Sequence, residues 1–500
     1  MLGLNITGSH KYFITLIALC CLVSIYLSFL YFQIDADGVN APVVWMEFKI
    51  HGFSALKDWV PTPDNWYFTL YPIYFLMYFV TGNNGPLILI AGTALFVIAV
   101  IMLSAIIAKK VDKNASLAIV CLPLTFLPHI FWTEGFIQHP FAHYSTVAFG
   151  LLLVCVAILN FEKQKLRVTF AAGIIGIIIC SSDMWVAPTF LLPILLTEFF
   201  FLIKRKSNPL NFIVLTVLFA IAFNHTIPKI LGIDSQPFNI AGLSTIFANF
   251  KQVGLITGEM FNLFFVRNTW PYLISLALVG ALYFISCLSM LRNNDIKTYF
   301  SLLSMLSIFG ITAAYVISNE DPSQRIPRFF VNMAPMLFII ISTTVNITLR
   351  RAAYTMSLLF VVSSLISYNY EKPSYKQSEK DINSYISFLQ KNNLKYGYGD
   401  YWNKSITTFW LSHGEITIVP INISAEGDVI LDSPRYQTMR TWYSKKHKKI
   451  NSSGKYFIAI DKNTACGGIE KCINVISKKF KKPDYILSHS DMTLLIYKNS

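Results

Sequence analysis

Long apolar runs constrain the fold of this chain more than any other feature. Most of them approach the roughly 20 residues that a helix needs to cross a bilayer. They cover residues 12–33, 86–108, 117–132, 141–160, 168–181, 186–203, 211–225, 271–291, 298–317, 329–349 and 352–368. Because 54% of the 500 residues are hydrophobic and only 14% are charged, a soluble globular protein is excluded. We therefore predict a polytopic α-helical membrane protein with about 11 spans.

One further apolar run, 67–81, is shorter and contains Pro72. It ends in Gly82-Asn83-Asn84-Gly85-Pro86, which is a strong break in secondary structure. We interpret this run as an in-plane or re-entrant helix that does not cross the membrane. If it does cross, either the N-terminus lies outside or the whole orientation is reversed.

Lysine and arginine residues set the predicted orientation. Two predicted spans separate each basic loop from the next, so all five basic loops fall on one face. These loops are at 109–113, 163–167, 204–206, 292–297 and 350–351. Since cytoplasmic loops carry the excess of positive charge, this face is predicted to be cytoplasmic. The last span then carries the chain out, so residues 371–500 are predicted to be extracytoplasmic.

The pattern divides the chain into two predicted domains. Residues 1–370 form the membrane domain, with a first outer loop at 34–66 and the in-plane helix at 67–81. Residues 371–500 read as a compact α/β domain. Its predicted helices are Lys380–Asn392 and Ile469–Phe480, and its predicted strands are Glu415–Ile421, Tyr456–Asp461 and Thr493–Tyr497. Cys466 and Cys472 can pair there if the compartment is oxidising.

Acidic residues gather in the first outer loop, directly after the first span. Asp35 and Asp37 form a DxD pair, and Glu47 and Asp64 follow in the same loop. Two such carboxylates can chelate a divalent metal that holds phosphate oxygens, or one of them can act as a base. The alternative is a solvated loop whose Trp and Tyr residues are interface anchors.

Two further outer positions are site candidates. His143 stands before a span and can bond to a substrate or cap a helix. Asp183 lies in a tight turn between two spans, where it can cap the next helix or belong to a site. His139 and His143 have the spacing of a metal-binding pair, but Pro140 between them interrupts a helix, so a zinc site is disfavoured.

Arginine on the predicted outer face opposes the usual distribution of charge and needs a reason. Arg325 and Arg328 lie just before a span. Guanidinium is a planar donor that matches phosphate, so binding the phosphate of a lipid is a suitable role. The net charge of +14 suits anionic lipids or phosphorylated substrates and gives no specific sign of nucleic acid. The basic run Lys445–Lys449 is either a solvated loop or a contact with lipid headgroups or phosphate.

These features together resemble the membrane glycosyltransferases of the GT-C fold, and most of all the bacterial O-antigen-modifying, serotype-converting glucosyltransferases. The matching positions are short motifs spread over most of the chain. They are Asp37 with Pro42 and Glu47, Trp59, Pro63–Phe68, His143, Asp183, Arg328-Phe329 and the tail segment Tyr398–Asn403. The chain departs from the mannosyl- and oligosaccharyl-transferase branches, because it has neither an Asp-Glu pair after the first span nor a Trp-Trp-Asp motif in the tail.

The resemblance implies an inverting transferase that moves a sugar, glucose by analogy, from undecaprenyl phosphate to an O-antigen or another cell-surface glycan. It implies a multi-pass protein of the bacterial inner membrane with its C-terminal domain in the periplasm. No cofactor is firmly expected, although Asp35 and Asp37 can hold a divalent metal. The expected catalytic residues are Asp37, Asp35 and Glu47, and the expected substrate-binding residues are Asp64, His143, Asp183, Arg325, Arg328, Tyr401 and Trp402.

Three other functions stay open at this point. A polysaccharide polymerase or ligase is also polytopic with outer arginines, but it predicts one large outer loop rather than a folded C-terminal domain. A transporter predicts inverted repeats and ionisable residues in the middle of spans, whereas here they cluster at the outer rim. A non-catalytic membrane scaffold predicts that single acid substitutions have no effect.

Overall fold

The structure is a computed structural model, and it describes residues 8–233, 240–344, 346–369, 375–402, 404–447 and 454–498. It divides into two compact units, which we describe separately. The helical unit comprises Met1–Tyr31, Pro63–Leu70 and Ile90–Pro373. The sheet unit comprises Phe32–Thr62, Tyr71–Leu89 and Ser374–Ser500.

Apolar helices are the main elements of the helical unit, and most of Leu70–Thr81 and the start of Pro86–Val111 belong to the sheet unit. Among the described residues, six helices are long and apolar enough to cross a membrane. They are Phe13–Tyr31, Pro86–Val111, His143–Lys163, Thr269–Leu291, Asp295–Ser318 and Ile347–Ser367. Shorter apolar helices are Leu70–Thr81, Leu166–Ser182, Ala187–Ile203, Pro209–Phe223 and Pro327–Ser342. The predicted polytopic α-helical membrane fold is confirmed, whereas the in-plane placement of 67–81 stays a prediction.

The predicted span 117–132 is broken into two helices. Leu117–Thr125 ends at Phe126, and His129–Thr133 begins after Pro128, which has an extended backbone. A proline disfavours the helical conformation of the residue before it, and Leu127, which precedes Pro128, lies outside both helices. Pro128 in the sequence thus accounts for the break. We missed it because the apolar run continues through it.

The segment between the predicted spans 211–225 and 271–291 contains helices that the sequence analysis did not predict. They are Thr226–Ile230 and Leu243–Met260. The longer helix is amphipathic in the structure, because Val253 and Ile256 are buried while Phe247 and Phe250 are exposed. Exposed aromatic residues on one face are typical of helices that lie at a membrane interface.

Glycine allows two of the membrane helices to approach closely. A Cβ on Gly173 would lie 2.2 Å from a side-chain carbon of Leu218, and a Cβ on Gly176 would lie 2.7 Å from the Phe219 ring. The helices Leu166–Ser182 and Pro209–Phe223 therefore pack through small residues, as membrane helices commonly do.

A mixed five-stranded sheet forms the core of the C-terminal part. Its order is β3 (Thr417–Pro420), β2 (Tyr396–Gly399), β7 (Lys455–Ile460), β9 (Met492–Lys498) and β8 (Tyr485–His489). The first three strands are parallel, and β9 is antiparallel to both β7 and β8. The helices of this part are Tyr375–Lys391, Ser405–Leu411 and Ile469–Lys479. The predicted α/β character is confirmed, although β2 and β8 were missed.

The first loop of the chain belongs to the same unit as this sheet. It contains a 3₁₀ turn at Asp37–Val39, the helices Asn40–His51 and Phe53–Asp58, and the strand β1 (Trp59–Val60). Strand β1 pairs in antiparallel fashion with β6 (Thr438–Met439). A second small ribbon pairs β4 (Asn422–Ile423) with β5 (Val429–Ile430). The domain division 1–370 and 371–500 stays a prediction, and its boundary lies outside the described residues.

Cys466 and Cys472 are joined by a disulfide, with 5.2 Å between their Cα atoms. Their pairing was left open by the sequence, since it depends on the compartment. The other six cysteines are free, as expected of residues in apolar runs. A disulfide confined to the C-terminal part is consistent with an oxidising location for it.

Candidate active site

Asp183 is the buried centre of a polar cluster in the helical unit. The helix Leu166–Ser182 ends immediately before it, and its Oδ1 accepts a hydrogen bond of 2.9 Å from the Trp185 amide. Its Oδ2 faces the helix that begins at His143. Asp183 therefore stabilises the turn through Oδ1 and presents Oδ2 to other residues, while its membership of a site stays a prediction.

His143 and Thr146 bind that second oxygen. The Nδ1 of His143 lies 3.0 Å from Oδ2 of Asp183, and the Thr146 hydroxyl donates to the same oxygen at 2.7 Å. The imidazole is stacked on Trp185, with 5.0 Å between ring centroids, and it also contacts Phe329. The ring is thus fixed in orientation by one hydrogen bond and two aromatic neighbours.

Two hydrogen bonds of the next residue, Asn65, hold Asp64 beside this cluster. The Asn65 amide donates to the Ser182 carbonyl at 2.9 Å, and the Asn65 side chain donates to the Ser181 carbonyl at 2.7 Å. One ligand atom from each of Asp64, His143 and Asp183 lies within 4.8 Å of the others. The structure therefore joins three of the predicted substrate-binding residues.

The pKa values of the two carboxylates in the cluster are shifted in opposite directions. Asp64 keeps some solvent contact. Its pKa is raised to about 7, mainly because surrounding protein buries it and secondly because the negative charge of Asp183 lies close to it. Burial acts to raise the pKa of Asp183 as well. The charge of His143 and the hydrogen bonds to Asp183 outweigh burial and hold the pKa of Asp183 below its usual value. At neutral pH Asp183 is thus ionised, while Asp64 can both donate and accept a proton.

The cluster is compact enough to hold a metal ion, but its hydrogen bonds compete with that role. Oxygen and imidazole ligands suit divalent metals. Both oxygens of Asp183 already accept hydrogen bonds, from Trp185 on one side and from His143 and Thr146 on the other. A metal would have to displace some of these donors. The cluster is also a different set from Asp35 and Asp37, the pair that the sequence offers as possible metal ligands.

Arg328 lies next to the cluster and has donor capacity to spare. Its positive charge acts to lower the pKa of Asp64, which shows that the two groups are close. Its guanidinium lies 5.2 Å from the centroid of the Phe136 ring and 5.9 Å from that of Phe329. Its Nε is buried and has no hydrogen-bond partner among the described residues. An unsatisfied buried donor is costly, so it is a reason to look for an acceptor that binds there.

Arg325 is held differently. It forms ion pairs with Glu259 and, at 4.0 Å, with Glu134. Two carboxylates already compensate its charge, so a phosphate would have to compete with them. Of the two arginines that the sequence analysis proposed for phosphate, Arg328 has the better environment, and the role of Arg325 stays a prediction.

The predicted catalytic pair lies in the sheet unit. Asp37 accepts a hydrogen bond of 2.7 Å from the Tyr401 hydroxyl, and that hydroxyl also contacts Gln437. Asp35 accepts one of 2.8 Å from the Gly38 amide. Both carboxylates are only partly buried. Their catalytic roles stay predictions, but Asp37 has a side-chain partner that can orient it.

Glu47 and Trp402 complete the set of predicted residues. Glu47 is buried, accepts a hydrogen bond of 3.3 Å from the Trp442 indole and lies 3.6 Å from His51. Burial raises the pKa of Glu47, and the Trp442 hydrogen bond offsets part of that rise. Trp402 is 63% exposed and packs edge-on against Tyr401. An exposed indole can stack on a sugar, whereas the contacts of Glu47 also suit a packing role.

Several residues of the site were missed from the sequence. Thr146 follows His143 by three positions, and this spacing places both on one helix face. Trp185 was not named as a candidate, although its ring supports His143 and its indole donates to the Phe329 carbonyl at 3.0 Å. No sequence signal indicated Gln437 as a partner of Tyr401.

Two solved structures are similar to this chain along almost its whole length. ArnT from Cupriavidus metallidurans bound to undecaprenyl phosphate has a TM-score of 0.58 and 11% identity, with 98% of each chain covered. The same protein in the apo state has a TM-score of 0.55 and 11% identity, again with 98% of each chain covered. No protein-family model matches the chain, and no curated protein sequence does. At this identity the likeness establishes the fold alone, which is the GT-C membrane fold that the resemblance implied.

Proposed function

We propose that the protein is a membrane glycosyltransferase that takes a sugar from a polyprenyl-phosphate donor. The observation that carries the proposal is the polar cluster of Asp64, His143 and Asp183 beside Arg328, within a GT-C membrane fold. A buried guanidinium nitrogen without a partner suits the phosphate of such a donor. The ArnT structure with bound undecaprenyl phosphate supports the choice of donor by analogy.

The finer features of the proposal come from the sequence. We propose glucose as the sugar, undecaprenyl phosphate as the carrier, and an O-antigen or another lipid-linked surface glycan as the acceptor. The reaction would take place on the periplasmic face of the bacterial inner membrane. An acceptor there is consistent with the disulfide between Cys466 and Cys472.

The chemistry is a single displacement. The acceptor hydroxyl attacks the anomeric carbon, and its proton passes to a carboxylate, for which we propose Asp37. The bond from the anomeric carbon to the phosphate oxygen breaks, and undecaprenyl phosphate leaves with the electron pair. Attack from the face opposite the phosphate inverts the configuration, as in inverting glycoside chemistry. Phosphate is a good leaving group that needs charge stabilisation, which we assign to Arg328.

Asp64 is the second candidate for the base. Its pKa of about 7 leaves a large ionised fraction at neutral pH, and it can also hydrogen-bond a sugar hydroxyl. Separate substitutions of Asp37 and Asp64 distinguish the two candidates. Replacing the carboxylate that acts as base with an amide should cause the larger fall in turnover.

The first experiment uses the purified full chain in detergent with radiolabelled undecaprenyl-phosphate glucose and a lipid-linked O-antigen acceptor. Wild type is compared with Asp37→Asn, with and without a chelator, and with Asp432→Asn as an exposed control in the same unit. We expect transfer by wild type and by the control, and loss of transfer in Asp37→Asn. If wild type transfers neither glucose nor any sugar of a small panel, the proposal is wrong.

A further inference from the structure

A basic pocket in the sheet unit is not used by the proposed reaction. It is a cavity of about 500 Å³, a size that suits a small ligand or a headgroup. Four basic side chains line it, namely His51, Lys57, Lys446 and His447. Lys446 and His447 belong to the basic run that the sequence analysis left open between a solvated loop and a phosphate contact, and Lys448 and Lys449 lie outside the described residues.

The walls of the pocket are tied together across the unit. The Asp58 carboxylate accepts hydrogen bonds from the Thr441 amide and, at 2.5 Å, from the Thr441 hydroxyl. The Arg440 guanidinium donates to the Lys57 carbonyl at 2.9 Å. These contacts join the helix Phe53–Asp58 to the segment that carries Lys446. The pocket is therefore formed before any ligand arrives, which reduces the cost of ordering on binding.

The charge of the lining is unbalanced. Asp58 is the one carboxylate that lines the cavity, and it is engaged by Thr441. Lys57 and Lys446 are exposed, and neither ammonium group forms an ion pair with a carboxylate in the part of the chain that the structure describes. Two ammonium groups against one carboxylate leave an excess of positive charge, which attracts an anion that the lysines can hold by charge-assisted hydrogen bonds.

Large exposed apolar side chains neighbour residues of the pocket lining in sequence. Ile50 is 74% exposed and Phe53 is 77% exposed, and they flank the lining residues His51 and Ser54 in sequence. Exposed aliphatic and aromatic side chains beside lysines are typical of surfaces that enter the headgroup region of an anionic membrane. A soluble anion would make no use of them.

We propose that this pocket binds the phosphate of an anionic lipid headgroup, with Lys57 and Lys446 on the phosphate and with Ile50 and Phe53 against the acyl chains. The proposal does not depend on the transfer reaction. It assigns a lipid-binding role to the helices Asn40–His51 and Phe53–Asp58 and to the first part of the basic run.

The test measures binding of dioctanoyl phosphatidate to the purified full chain in a neutral detergent by isothermal titration calorimetry. Dioctanoyl phosphatidylcholine is the zwitterionic comparison, and glycerol 3-phosphate is the headgroup without acyl chains. We expect the double variant Lys57→Gln/Lys446→Gln to weaken phosphatidate binding by about tenfold or more, since each lysine supplies a charge-assisted contact. The control Lys395→Gln/Lys462→Gln changes two exposed lysines of the same unit outside the pocket and should bind as wild type does.

Phe53→Ser distinguishes a lipid headgroup from a free phosphate compound as the ligand of the pocket. It should weaken binding of phosphatidate and leave any binding of glycerol 3-phosphate unchanged. Lys57→Arg should retain phosphatidate binding and serves as a check that the glutamine variants lose charge rather than structure. Equal affinity for phosphatidylcholine, equal affinity for glycerol 3-phosphate, or the same loss in the control pair would each overturn the proposal.

Discussion

The Nδ1 of His143 lies 3.0 Å from Oδ2 of Asp183, and both side chains are buried in the helical unit. Because an ionised carboxylate only accepts, the imidazole must donate through Nδ1. This leaves Nε2 of His143 as the ring atom that can serve another partner. The pair is therefore expected to contribute to stability and to hold the orientation of the imidazole ring.

His143→Ala should destabilise the protein by about 3–5 kcal/mol, because it leaves the buried charge of Asp183 without its imidazole partner. Unfolding in mixed detergent–SDS micelles measures this. In a double-mutant cycle with Asp183→Asn, the two substitutions should be less than additive by about 0.5–3 kcal/mol. Strict additivity would mean that the two side chains do not interact.

Arg328→Gln should reduce turnover by about 10²–10³-fold, since it removes the guanidinium that we assign to the departing phosphate. Arg328→Lys should recover part of the activity, because it restores charge without the planar donor geometry. The rate of sugar transfer at saturating donor measures both effects. Arg351→Gln changes an exposed arginine at the start of another helix and should leave the rate unchanged.

Asp64→Asn should lower the rate of transfer, and a chelator should not. The substitution removes a group that exchanges a proton near neutral pH, and general acid–base help of this kind contributes about 10²–10⁴-fold. The hydrogen bonds on both oxygens of Asp183 favour a metal-free cluster. Activity that is lost with EDTA and restored by Mn²⁺ or Mg²⁺ would contradict this prediction.

Tyr401→Phe should reduce transfer by about tenfold, which is less than the loss in Asp37→Asn. It removes one hydrogen bond that orients the carboxylate and leaves the carboxylate itself in place. The rates of the two variants, measured side by side with Tyr436→Phe as an exposed tyrosine control, test this order. A larger loss in Tyr401→Phe would instead assign the chemistry to the phenol.

Glu47→Gln should change thermal stability more favourably at pH 8 than at pH 4. Burial raises the pKa of Glu47 above its unfolded value, so its contribution to stability is present at low pH and is lost as the pH rises through the folded pKa. The melting temperature of the variant minus that of wild type should therefore be more positive at pH 8 than at pH 4. Unchanged transfer activity in Glu47→Gln would assign Glu47 to packing, whereas loss of activity would support its predicted catalytic role.

The fold could be predicted well from the sequence because long apolar runs, and short runs typical of strands, are local signals. The spans and the α/β tail could be read from single segments. The break after Leu117–Thr125 and the helix Leu243–Met260 were missed, since the first lies inside a continuous apolar run and the second inside a mixed one.

The arrangement of the site residues in space was harder to predict from the sequence. Asp64 and Asp183 were both named as candidates, but their proximity depends on Asn65, which bonds to carbonyls 116 and more residues away. The difference between Arg325 and Arg328 depends on Glu259 and on aromatic neighbours in other segments. Such contacts are set by tertiary packing, and neither periodicity nor spacing reports them.

The hydrogen bond between Asp37 and Tyr401 joins residues 364 positions apart. At the usual speed of translation, about 5–20 residues per second, roughly 20–70 s pass between the synthesis of the first and of the second. During that interval the described membrane helices that follow Phe13–Tyr31 are made, and the strand β6, which pairs with the first loop, is made later still. The proposed base therefore acquires its orienting hydroxyl only near the end of biosynthesis, so a ribosome that stalls before Tyr401 leaves an inserted chain without the means to hold Asp37.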